Sequence, residues 1–331
     1  MARVLVVGAQ GVLGTFVAQA FREVGWDVVR AGRRREESAD FLLLDLDDSA
    51  AVARAFGDAD LIVNTAHHPG LSPERAALRG GKTLIDLAEL SPAEGKSLER
   101  DAAGAEGVVV TGAGFSGVAY IAAADLLRTR PEADEAHYGL MFSAAGASGR
   151  AGALLGHALL TDTSHHRTRK IELPEPWGRH RFIEVNTGSA RGILPVALNG
   201  ASLRHYLSMQ PGYLQSVFLG LNATRLISHL PAAMFTAGTD KEAPNEPSDE
   251  AICEWVAVSK GDRILAARTT EGKGYYRMTA AAIVTFGEEL VRSPRPERGM
   301  RRIEELVALP EVLPSLERRK IAVRTQPVGP R

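Results

Sequence analysis

Val4-Leu5-Val6-Val7-Gly8-Ala9-Gln10-Gly11-Val12-Leu13-Gly14 decides the architecture of this chain. Its opening apolar residues form a short continuous run of the kind a strand buried on both faces uses. Beyond it, Leu13, Phe16, Val17, Ala20, Phe21 and Val24 recur at helical spacing, and Gly25 follows as a stop signal. Between strand and helix lies a G-x-x-G-x-x-G loop, one residue longer between its first two glycines than the commonest dinucleotide fingerprint. Glycines let the backbone approach a ligand there, and the unpaired N–H groups of the helix start attract an anion such as a pyrophosphate. The bland alternative is a tight strand-to-helix turn with no ligand.

Outward from this loop the pattern repeats. Trp26 to Ala31, Phe41 to Leu46, Leu61 to Thr65, Thr83 to Leu87 and Gly107 to Thr111 read as further strands. Ser72-Pro73 and Ser91-Pro92 read as helix starts, a capping hydroxyl before a proline, with Glu94 completing a capping box after Ser91. Parallel neighbours need crossover connections, so this alternation predicts a doubly wound parallel sheet over residues 1–130. The rhythm then changes. Ala136 to Ser143 and Arg181 to Asn186 read as strands, and Arg150 to Leu160 and Tyr213 to Leu230 as helices. Thr239 to Glu250 reads as a polar loop. Ile252 to Val258 and Arg263 to Thr269 flank Ser259-Lys260-Gly261-Asp262, a hairpin signal. A second α+β domain with a mixed or antiparallel sheet is expected over 131–285. Residues 286–331 are expected to hold C-terminal helices, including Met300 to Leu309, that pack back on the first domain and end in a basic tail.

Composition supports an ordinary globular chain. Its 331 residues are 45% hydrophobic and 24% charged, with 39 basic against 40 acidic side chains, enough apolar matter for two cores. The near-zero net charge gives no general pull toward nucleic acid or an anionic membrane. The stretch Arg292, Arg295, Arg298, Arg301 and Arg302 with Glu297 lacks interleaved aromatics and reads as a solvated face. One cysteine, Cys253, excludes an internal disulfide and a cysteine metal cluster. The first apolar run is too short for a signal-peptide core, and no stretch approaches the ~18–20 apolar residues a membrane span needs. A cytoplasmic location is expected, and exposed apolar faces on the second sheet make a homodimer the expected assembly.

The end of the second strand bears on the cofactor. NAD-binding domains place an acid there for the ribose hydroxyls, whereas this chain has Ala31-Gly32-Arg33-Arg34-Arg35 and no acid before Glu36. Guanidinium forks suit a phosphate dianion, so NADP(H) is preferred over NAD(H), with Arg33 and Arg34 as phosphate ligands. The alternative is a solvated basic turn balanced by Glu36 and Glu37. The expected cofactor shell is Gly8, Gln10, Gly11, Val12, Leu13, Gly14, Gly32, Arg33, Arg34, Asp45, Asn64, Thr65, Ala66, Gly112 and Gly114. Asp45 would accept from the adenine amine or cap the next helix. Asn64-Thr65-Ala66 would leave room for the nicotinamide ribose. Gly112 and Gly114 belong to a second glycine loop that serves either the cofactor or close backbone packing.

These residues resemble the saccharopine dehydrogenase-like reductases. The likeness rests on Val6 to Gly14, Ala31-Gly32-Arg33, Asp60 to Ala66, Leu84-Ile85-Asp86-Leu87-Ala88-Glu89, and the strand, loop and helix from Val108 to Leu127. It is close over about the first 130 residues and architectural beyond them. The resemblance implies NAD(P)-linked chemistry at carbon–nitrogen bonds of amino acids or polyamines. Short-chain reductases share the glycine loop, but no tyrosine here has lysine four residues on, as their catalytic pair requires.

The expected reaction is therefore reduction of a C=N or related unsaturated bond of a small amine- or amino-acid-like metabolite, in a cleft between the domains. The alternatives are a C=C reductase on the same fold and a non-catalytic NADP(H) sensor. Asp86, Glu89 and His67 are the candidate acid/base groups, each with a bland reading as a cap, ion pair or exposed loop residue. Arg150, after a run of small residues, and Arg191 are candidate carboxylate ligands. No metal-ligand spacing and no G-x-S-x-G elbow is found.

Overall fold

The computed structural model describes residues 1–87, 90, 92–143, 157–158, 160–161, 165–173, 175, 177–185, 197–210, 212–236, 251–293 and 297–327. In chain order its elements begin β1 (Arg3–Val7), α1 (Val12–Glu23), β2 (Asp27–Gly32), β3 (Phe41–Leu43), α2 (Ser49–Gly57), β4 (Leu61–Asn64), α3 (Ser72–Arg79) and β5 (Thr83–Asp86). They continue with α4 (Pro92–Asp101), β6 (Val108–Thr111), α5 (Phe115–Thr129), β7 (Glu135–Ser143), β8 (Thr168–Glu172), β9 (Arg179–Val185), β10 (Ala197–Leu198) and β11 (Ala201–Gln210). Next come α6 (Gly212–Ala223), α7 (Ala232–Thr236), β12 (Ala251–Lys260), β13 (Arg263–Lys273) and α8 (Tyr275–Arg292). The last are β14 (Gly299–Arg302), α9 (Ile303–Leu306), α10 (Leu309–Arg318) and β15 (Ala322–Gln326). The chain divides into two compact units, Met1–Ile121 with Tyr276–Arg319, and Ala122–Tyr275 with Lys320–Arg331.

The first unit is built on a seven-stranded parallel sheet of order β14-β6-β5-β4-β1-β2-β3. Both faces are covered, which is why β1, β4 and β5 are apolar on alternate as well as successive residues. Leu5, Val7, Ile62, Leu84 and Val109 pack with Val52, Phe56, Leu78 and Leu98 of the helices on one side. On the other side Phe21 and Leu61 close on Gly287 of α8, where a Cβ would stand 2.7 Å from Leu61 Cδ2. Each such buried Phe or Leu contributes about 1.5–3 kcal/mol. The chain leaves β1 in one direction for β2 and β3 and returns to its other side at β4. The β1–β4 boundary is therefore the switch point, outside whose carboxyl ends a ligand crevice forms in folds of this type.

The second unit holds a mixed sheet of order β15-β13-β12-β7-β11-β9-β8, with β10 paired to β11. Its β7–β11 pair is parallel and its other pairs are antiparallel. Phe182, Tyr206, Trp255, Met141 and Ile171 form one core, and Leu160, Ile183, Met209, Phe218 and Ile227 another. The expected α/β class, a doubly wound sheet followed by a mixed one, is what the chain adopts. Among the described residues no helix is long and apolar enough to cross a membrane.

Several expected elements are corrected. Met300 to Leu309 is not one helix: Gly299–Arg302 adds a parallel edge strand beside β6, because its backbone completes the sheet where no further strand follows. Tyr213 to Leu230 breaks at Ala223, where Arg225 turns left-handed at φ 59° and the Leu226 N–H returns to the Leu221 carbonyl. Ser72 does not cap its helix; it is the first helical residue, after Leu71 in the left-handed region. The expected basic tail contains β15, paired with β13. Ser91 and most of the expected Arg150–Leu160 helix lie outside the described residues, as does all of the Thr239–Glu250 loop.

Candidate functional site

At the switch point the glycine loop is packed against the turn after β4. A Cβ at Gly8, which has φ +77°, would stand 2.8 Å from Thr65 Oγ1 and 2.9 Å from Ala66 Cβ. Thr65 locks the turn by donating to the carbonyl oxygens of Val7 (2.8 Å) and Gly8 (3.2 Å). At Gly14 a side chain would collide with the Gly8 carbonyl and come within 2.7 Å of Ala9 Cα. Helix α1 can therefore start close beneath the loop only because these positions are glycine.

The start of α1 differs from that of α2. Asp48 caps α2, accepting from the amides of Ala50 (3.1 Å) and Ala51 (2.9 Å). At α1 the cap residue is Gly11, no side chain accepts from the first turn, and that turn carries no acid. The Gly11 N–H closes the loop on the Gly8 carbonyl at 2.9 Å. The first-turn N–H groups of Val12, Leu13 and Gly14 and the positive dipole end are left for an anion, so this helix start fits a pyrophosphate. Asp45 does not cap α2. Its Oδ1 accepts from the Asp47 amide at 3.0 Å in a local turn.

Arg33, Arg34 and Arg35 follow β2 on the same edge and are exposed. Among the described residues no carboxylate pairs with Arg33 or Arg34. Glu36 is engaged elsewhere: its Oε2 lies 2.6 Å from Arg30 Nη2, and its Oε1 accepts from Gln10 Nε2 at 3.0 Å. Gln10 also donates to the Arg34 carbonyl (2.8 Å) and accepts from the Arg34 amide (3.2 Å). The balancing role considered for Glu36 thus goes to Arg30.

Further along the carboxyl edge, Asn64 and Asp86 are paired residues of β4 and β5, both buried. The Asn64 amide donates to Asp86 Oδ1 at 3.0 Å and to Glu74 Oε1 at 2.8 Å, while its own carbonyl accepts from the Ala66 amide. Asn64 thus bridges two carboxyl groups. Glu74, in the first turn of α3, is 1% exposed, and its Oε2 has no hydrogen-bond partner among the described residues. Burial pushes its carboxyl above the usual carboxylate range, against the opposing pull of its own backbone amide, the Asn64 amide and the nearby His68 and His67. His67 and His68 are each tethered, Nε2 of the first 3.1 Å from Glu94 Oε1 and Nε2 of the second 3.1 Å from Asp47 Oδ1.

The structure thus brings the glycine loop, Arg33, Arg34, Asn64, Thr65, Ala66, His67 and Asp86 to one edge of one sheet. Gly112, at φ +69°, and Gly114 lie at the same edge after β6, next to Gly117, where a Cβ would clash with the Gly112 carbonyl. Glu89, Arg150 and Arg191 lie outside the described residues. Glu74 gains a role that sequence reading missed, and Gln10 gains a second one. Glu74 looked like an ordinary acid at a helix start, a position that usually faces water. Gln10 was expected in the cofactor shell, but not its reach to Arg34 and Glu36; an amide side chain amid glycines was the one available hint.

Comparison with known proteins follows this division. Residues 4–89 match the NAD dependent epimerase/dehydratase family, a segment running from β1 past β5. No curated protein matches the chain by sequence. Among solved structures, saccharopine dehydrogenase (L-Glu forming) from Saccharomyces cerevisiae is 11% identical. It covers 99% of this chain and 100% of its own, with a TM-score of 0.58. An amine dehydrogenase from Mycobacterium smegmatis is 11% identical over 93% of this chain and 96% of its own, TM-score 0.49. A meso-dapdh mutant from Clostridium tetani E88 is 9% identical over 96% and 99%, TM-score 0.48. At 11% identity the first likeness establishes shared architecture, and it extends the resemblance drawn from the N-terminal motifs to the whole chain as fold.

Proposed function

We propose that the chain is an NADP(H)-dependent oxidoreductase that reduces the C=N bond of a small amine- or amino-acid-like metabolite. The observation that carries this reading is one sheet edge that joins an uncapped helix start, a glycine loop and two exposed arginines with no carboxylate partner among the described residues. An NAD(H) site would want a free acid after β2; the nearest, Glu36, is held by Arg30 and Gln10. The α1 amides would hold the pyrophosphate, and Arg33 and Arg34 the ribose phosphate. When bound, the nicotinamide supplies or accepts the hydride.

The chain's own part is to orient the substrate and manage its proton. Asp86, fixed by Asn64 at the end of β5, holds a proton at the imine nitrogen and keeps a carboxylate beside the resulting cation. Two carboxyl groups bridged by one amide favour a cationic iminium over the developing oxyanion that C=C reduction would require. His67 with Glu94 is the second proton carrier. In this reading Glu89 is a further candidate acid/base group, and Arg150 and Arg191 are candidate carboxylate ligands of the substrate.

The test follows NADPH absorbance with a panel of small cyclic imines. Turnover is expected, with Asp86→Asn losing about 100-fold or more in rate while still binding NADPH. Turnover of conjugated enones alone would overturn the substrate class, and tight NADPH binding with no turnover of either class would make the chain a sensor.

A further inference from the structure

We propose that Gln10 is a positioning residue that sets the preference between the 2′-phosphorylated nicotinamide cofactor and its unphosphorylated counterpart. The inference rests on the NADP(H) reading and adds a device to it. The Gln10 side chain leaves the glycine loop and reaches the turn after β2, 24 residues away. There it uses both faces of its amide. One N–H of Nε2 meets the Arg34 carbonyl at 2.8 Å, the other meets Glu36 Oε1 at 3.0 Å, and Oε1 accepts from the Arg34 amide at 3.2 Å. Gly32 makes room for this clasp: a Cβ there would stand 2.6 Å from Gln10 Oε1.

Two consequences follow from these bonds. The backbone of Arg34 is pinned at both its N–H and its carbonyl, so two exposed, flexible side chains project from a fixed turn. Ordering rotamer-rich arginines on a mobile turn would cost part of any phosphate affinity, and the clasp reduces that cost. Glu36 is meanwhile held by Arg30 and Gln10, and among the described residues it pairs with neither Arg33 nor Arg34. Released, it would pair with those arginines or accept from the ribose hydroxyls, and either change favours NADH at the expense of NADPH. The loop that serves the pyrophosphate thus also sets the turn that reads the 2′ position.

The test is a set of fluorescence titrations with NADPH and NADH on the full chain, as wild type, Gln10→Ala and Gln10→Ala/Glu36→Gln. Gln10→Ala is expected to lower the NADPH-over-NADH affinity ratio about fivefold or more, chiefly by weakening NADPH. The double variant is expected to recover most of that ratio, since the freed carboxylate is gone. Should Gln10→Ala fail to fold, Gln10→Asn, one methylene too short to span the clasp, is expected to show the same drop. An unchanged ratio, or equal weakening of both cofactors, would overturn the inference and leave the NADP(H) reading standing. A wild type without NADPH preference would instead defeat the reading beneath it.

Discussion

The two units place their polar groups differently. In the first, a parallel sheet sends every strand's carboxyl end to one edge, and the polar groups gathered there keep spare capacity: an uncapped helix, unpaired arginines, a carboxyl oxygen without a donor. In the second, several polar groups inside the mixed sheet satisfy one another, although the buried Ser208 hydroxyl has no partner among the described residues. The His137 ring nitrogens meet Ser259 Oγ at 2.8 Å and the Tyr206 hydroxyl at 3.3 Å. Glu254, fully buried, accepts from the hydroxyls of Tyr138 (2.7 Å) and Thr270 (3.2 Å). Spare capacity suits binding, and closed pairs suit stability.

The contrast is sharpest in acid. Burial, helped by Arg169 and Arg204, lowers His137 from 6.5 to about 3. A depressed histidine contributes stability that is complete above its unfolded value and lost as pH falls from 6.5 toward 3. The loss is on the order of 5 kcal/mol. Glu74 has the opposite sign: with its folded value raised, its contribution is present below about 4.5 and lost as pH rises through that raised value. Urea midpoints measured between pH 7 and 4 should fall steeply in wild type and much less in His137→Gln. Equal slopes would break the assignment.

Backbone clearance gives the next effect. Gly14→Ala drives a methyl into the Gly8 carbonyl and Ala9, main-chain atoms that cannot yield, at about 2–3 kcal/mol and with loss of cofactor binding. The nearest atoms to a Cβ at Gly139 in β7 belong to the Phe182 and Trp255 rings, at 3.1 and 3.4 Å, so Gly139→Ala should cost about 1 kcal/mol. Thermal denaturation of both variants checks the order, and a reversed order would contradict it. Smaller still, Asp48→Ala should cost about 1 kcal/mol by removing the α2 cap while leaving cofactor affinity unchanged.

The units also differ in how plainly their sequences announce them. Short apolar strands, helical periodicity and glycine punctuation made the parallel sheet legible up to β6. The missed strand, β14, has two arginines in four residues, and its apolar spacing runs on into α9 as if it were one helix. In the mixed sheet, β11 went unread although it is a central strand. Arg204, His205 and Ser208 disguise its alternation, and its parallel partner β7 lies far back in the chain. At the candidate site, residue type revealed the loop and the arginines. It could not reveal side-chain destinations: that Asn64 points at two carboxyl groups, or that Gln10 spans to Arg34, depends on how distant segments pack.

The most direct measurement is the pair of dissociation constants for NADPH and NADH, on wild type and on Arg33→Ala/Arg34→Ala. Wild type is expected to bind NADPH at least about tenfold tighter, roughly 1.4 kcal/mol, and the double variant to lose that margin with NADH affinity unchanged. Equal affinity for the two cofactors in wild type, or binding of neither, would contradict the NADP(H) site on the first unit.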